Sequence, residues 1–70
     1  MEWKLDVKGD WRLVDPDGVG GDSTKALVWF ADYLGEWQGV SKARAGVSRG
    51  ATAEEVKEMV LVQYIAWRVG

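Results

Sequence analysis

The chain has seventy residues and a net charge of −2, which limits it to one domain, read here as a single small domain over residues 1–70. Cysteine and histidine are both absent, which excludes disulfides, the usual zinc ligand sets and a Ser-His or Cys-His catalytic pair. No apolar stretch approaches the roughly 18 residues of a membrane span, and the start Met-Glu-Trp-Lys lacks a secretory h-region, so a cytoplasmic protein is expected.

Trp3, Leu5 and Val7 alternate with Glu2, Lys4 and Asp6, the period of a half-buried strand. Trp11 and Leu13 continue the pattern against Arg12 and Val14. A loop at Lys8-Gly9-Asp10 pairs Val7 with Trp11, Leu5 with Leu13 and Asp6 with Arg12, which keeps each face uniform. Asp15-Pro16-Asp17-Gly18 then reads as a turn, with Pro presetting the bend and Gly accepting positive φ.

After the flexible Val19-Gly20-Gly21, a cap at Asp22, Ser23 or Thr24 predicts a helix over about 24–38. On a helical wheel Leu27, Phe30, Ala31 and Leu34 form one apolar face, expected to be core, and Trp29, Tyr33 and Trp37 form a second. Residues 39–51 turn to Gly, Ala and Ser with Lys42, Arg44 and Arg49, a basic loop or a short helix capped by Ser41. Thr52-Ala-Glu-Glu55 is a capping box opening a last helix, in which Glu54, Glu55 and Glu58 suit the N-terminal dipole. Val60, Val62, Tyr64, Ile65 and Val69 suit a strand as well, so a β ending over 59–69 is the alternative. The expected fold is α+β: an N-terminal hairpin packed against two helices, ββαα, with a C-terminal strand replacing the last helix as the alternative.

Several motifs fall short of a chemistry. In Gly18-Val-Gly-Gly-Asp-Ser-Thr-Lys25 the lysine follows Thr24 with no Gly before it, so the phosphate-cradling pattern fails and a plain connector remains. The acidic stretches at Asp6–Asp10 and Asp15–Gly20 lack calcium ligands at required positions, with Lys8 and Ala26 where oxygens belong. No metal, cofactor or catalytic residue is assigned, and no enzyme is expected.

Two functional readings follow. The first is a protein-binding or assembly module, meeting another protein or a second copy of itself through Trp29, Tyr33 and Trp37, because a small monomer hardly wraps a helix on so many sides. Small cysteine-free domains of this build occur among phage and mobile-element products that inhibit or scaffold other proteins, and that class fits. The alternative starts from Ala45-Gly46-Val47-Ser48-Arg49, which resembles the turn of a helix-turn-helix, where Gly breaks one helix and Ser caps the recognition helix. That resemblance implies a nucleic-acid-binding regulator using the basic segment 42–49, with Lys42, Arg44 and Arg49 as phosphate contacts.

Overall fold

In a computed structural model that describes residues 2–14, 24–43 and 46–69, the hydrophobic alternation of the N-terminus carries on well past the first hairpin. Among the described residues the chain forms β1 (Glu2–Leu5), β2 (Trp11–Val14), β3 (Thr24–Ala31), β4 (Glu36–Ser41) and β5 (Ser48–Gly50), then a helix, α1 (Ala53–Val69). The strands make one antiparallel sheet in the order β1-β2-β3-β4-β5, each paired with its sequence neighbour.

The first hairpin keeps its expected faces but not its expected register. Leu5 pairs with Trp11, Lys4 with Arg12 and Trp3 with Leu13, so Asp6 is not opposite Arg12. The turn sits one residue earlier than expected. Gly9 takes a positive φ of 88°, its amide donates to the Asp6 carbonyl (3.1 Å), and the Asp6 amide donates to the Asp10 carbonyl (2.9 Å). The Asp6 carboxylate also accepts from the Lys8 (2.8 Å) and Asp10 (3.0 Å) amides, as Asp at the start of a turn does. Glycine is the residue that enters the left-handed region without strain, so its place in the loop sets the register.

The expected helix over 24–38 does not exist, and the ββαα arrangement is corrected to five strands and one helix among the described residues. Thr24–Ala31 and Glu36–Ser41 pair as β3 and β4, joined by a turn at Asp32–Gly35. Gly35 has φ 66°, and its amide donates to the Ala31 carbonyl (2.8 Å). A segment apolar on every side has nowhere to bury itself as a helix on a small hairpin. As the central strand of a sheet it has a neighbour on each edge and uses both faces. Of the expected core face only Ala31 is buried: Leu27, Phe30 and Leu34 are 38%, 44% and 47% exposed.

Of residues 39–51, expected as a basic loop or a short helix, 39–41 belong to β4 and 48–50 to β5; residues 42 and 43 form a turn, where the Ser41 hydroxyl accepts from the Ala43 amide at 3.2 Å. The β ending is also overturned, since residues 59–69 lie within α1. Its start follows the capping box: the Thr52 hydroxyl accepts from the Glu55 amide (3.3 Å), and the Glu55 carboxylate accepts from the Ala51 amide (3.2 Å). The turn expected at residues 15–18 and the cap options Asp22 and Ser23 lie outside the described residues.

Cross-strand pairing sorts the sheet into two faces. Rows Trp3-Leu13-Ala26-Ser41, Leu5-Trp11-Val28-Gly39-Ser48 and Phe30-Trp37-Gly50 lie on the face that α1 covers. The opposite face carries Lys4-Arg12-Leu27-Val40 and Trp29-Gln38-Arg49. The core is Leu13, Ala26 and Val28 from the sheet with Val56 and Val60 from the helix, and Trp3, Trp11, Trp37 and Leu61 pack around it. The backbone of the helix lies over β3, β4 and β5, and α1 reaches β1 and β2 only through side chains. Lys57 is one of these, its ammonium 3.3 Å from the centre of the Trp11 ring and 5.8 Å from that of Trp3.

Candidate partner-binding surfaces

Helical spacing would align Trp29, Tyr33 and Trp37, but strand geometry separates them. Trp29 points to the uncovered face of β3 and is half-buried, opposite Gln38. Tyr33 stands in the β3–β4 turn and is largely exposed. Trp37 faces the helix side, packs against the core, and meets Phe30 edge to face with ring centres 5.4 Å apart. The three do not form one surface.

The basic residues are dispersed as well. Lys42 is exposed in the turn after β4, and Arg49 sits on β5, 3.4 Å from the Glu36 carboxylate. Arg44 lies outside the described residues. Ser48 begins β5 rather than a recognition helix, and its hydroxyl accepts from Gln63 of α1 at 3.1 Å. The helix-turn-helix geometry is therefore not formed here. Asp6 and Asp10 are engaged in the first turn, and among the described residues no group of three or more His, Cys, Asp or Glu is placed to hold a metal.

A run of exposed aliphatic residues lies elsewhere, on α1. The helix has two apolar sides with different spacings. Ala53, Val56, Val60 and Tyr64 are buried against the sheet. On the opposite side Val62 (58% exposed), Ile65 (45%) and Val69 (83%) follow one another at three and four residues. They continue the positions of Glu55 and Glu58, giving the a/d spacing of a heptad seam, and Met59 and Ala66 flank it. An open depression lined by Glu55, Glu58, Met59, Val62 and Gln63 runs beside the seam. The Gln63 side-chain oxygen is buried and has no hydrogen-bond partner among the described residues. Among the described residues no helix is long and apolar enough to cross a membrane.

Sequence reasoning missed this seam although its signal is present. The far half of the last helix is apolar nearly all round, and a helix on a single sheet buries only one stripe. No known protein family, curated protein or solved structure matches the chain.

Proposed function

We propose that this chain is a non-enzymatic protein-binding and assembly module whose working surface is the outer face of α1. The observation that carries this reading is the exposed run of Val62, Ile65 and Val69. Full burial of an aliphatic side chain stabilises by roughly 1.5–3 kcal/mol, and these partly exposed ones forgo a share of it. A contiguous patch of them on a small monomer marks an interaction site. The inventory supports the same reading, because a chain without cysteine or histidine lacks the common nucleophile–base pairs. Tyr33 in the β3–β4 turn and Trp29 on the uncovered face of the sheet remain separate secondary contact points, whereas Trp37 packs against the core.

The test is photo-crosslinking in expressing cells, with p-benzoylphenylalanine in place of Val62, Tyr33 or, as a control, the exposed Lys8. An adduct larger than the chain is expected from position 62 and not from position 8. Absence of any adduct from positions 62 and 33 would sink the reading.

A further inference from the structure

We infer that the outer seam of α1 receives a second copy of this chain, the two helices packing antiparallel about a two-fold axis near Gln63. This rests on the assembly reading above and adds the partner and its orientation. The seam Glu58, Val62, Ile65 and Val69 repeats at three and four residues, the spacing that keeps one stripe facing a partner helix. On the outer side its charge runs one way: Glu55 and Glu58 lie toward the start of the helix and Arg68 in its last turn, while Lys57 turns to the sheet side over Trp11 and pairs with Glu54.

That polarity selects the orientation. A parallel pair would set the Glu58 carboxylates of the two copies against each other at the seam, with Glu55 adding to the repulsion. An antiparallel pair places Val62 against Ile65 of the second copy, Met59 beside its Ala66, and Glu58 beside its Arg68 and Val69. A two-fold axis repeats each contact, so one seam is complementary to itself. Among the described residues neither Glu58 nor Arg68 has an ion-pair partner within its own chain. The antiparallel arrangement supplies one to each. The contact covers about three helical turns, which puts it at the small end of specific interfaces and makes the dimer concentration-dependent.

Sedimentation and light scattering over a concentration series test the proposal, with thermal melts as folding controls. Val62→Glu is expected to raise the dimer Kd about 30-fold or more while the monomer still folds, because Val62 is outside the core. Arg68→Glu weakens the dimer several-fold, and adding Glu58→Arg to the same chain restores it. The chain's lack of cysteine allows a geometric check. On oxidation, Glu58→Cys mixed with Val69→Cys forms the mixed disulfide and neither variant links to itself. A parallel pair reverses that result, since residues 58 and 69 are then about 16 Å apart at 1.5 Å per residue. A chain that stays monomeric at every concentration overturns the proposal. So does a dimer indifferent to Val62→Glu, or one whose disulfides join like positions. The assembly reading is judged separately: an adduct from position 62 with the mass of a different protein keeps it and removes only the second copy.

Discussion

Gly39 is where a single atom decides how closely the helix approaches the sheet. It sits on β4 beneath α1, and a Cβ placed there would lie 2.6 Å from Val56 Cγ1 and 3.0 Å from the Leu27 carbonyl oxygen. Val56 is fully buried and has no room to move away. Gly39→Ala is therefore expected to destabilise the domain by about 1–3 kcal/mol, measured as a lower urea midpoint. An unchanged midpoint would mean that the helix rides farther from the sheet than described. Trp37 and Leu34 make a second contrast three residues apart. Trp37 packs against the core and Leu34 is half-exposed in a turn. Trp37→Ala should cost about 2–4 kcal/mol, a little below a fully buried tryptophan, and Leu34→Ala should stay within about 0.5 kcal/mol. Equal losses in the thermal melts of the two variants would contradict this placement. This reverses the helical reading, in which Leu34 belonged to the core and Trp37 to an exposed stripe.

At the level of elements, the last helix depends on a cap that can be removed on its own. Thr52→Ala deletes the hydroxyl that accepts from the Glu55 amide and leaves the first turn of α1 unsatisfied. The expected cost is about 0.5–2 kcal/mol by chemical denaturation. A midpoint equal to the parent's would show that Thr52 does not cap. This cap was legible in the sequence, as were β1, β2 and the shared face of Trp3, Leu5, Trp11 and Leu13, because each has an unambiguous period or motif, whereas the register that pairs them was not. The strands β3 and β4 were not. Ala26, Val28 and Phe30 alternate with Leu27 and Trp29, but all are apolar, so the period-two signal is erased even though only Ala26 and Val28 of these are buried. Asp32-Tyr33-Leu34-Gly35 was the cue that remained, an acidic residue opening a turn and a glycine closing it. Strand propensity in Val28, Trp29 and Phe30 pointed the same way.

For the whole molecule, the binding surface was harder to read than the fold because it depends on what the sheet leaves uncovered. Trp29, Tyr33 and Trp37 share a stripe only if their segment is helical; in strands, the two tryptophans face opposite sides of the sheet. Met59 to Val69 already looked apolar nearly all round, yet only the position of the sheet tells which half is core. The molecule is thin, 35 × 29 × 16 Å across its Cα atoms, one sheet and one helix deep. The fully buried large side chains are Leu13, Val28, Val56 and Val60, a small core with neither disulfide nor zinc ligands to reinforce it. Stability in such a chain should therefore be coupled to association through α1. If the folded state dimerises and the unfolded state does not, a tenfold rise in concentration adds about 1.4 kcal/mol per dimer, or about 0.7 kcal/mol per chain. In a domain of this size that corresponds to a rise in Tm of roughly 3–6 °C. Val62→Glu should remove the slope, giving one Tm at all concentrations that meets the parent's at high dilution. A parent chain whose Tm is flat over a hundredfold concentration range would show that the sheet and the inner face of α1 hold the fold unaided.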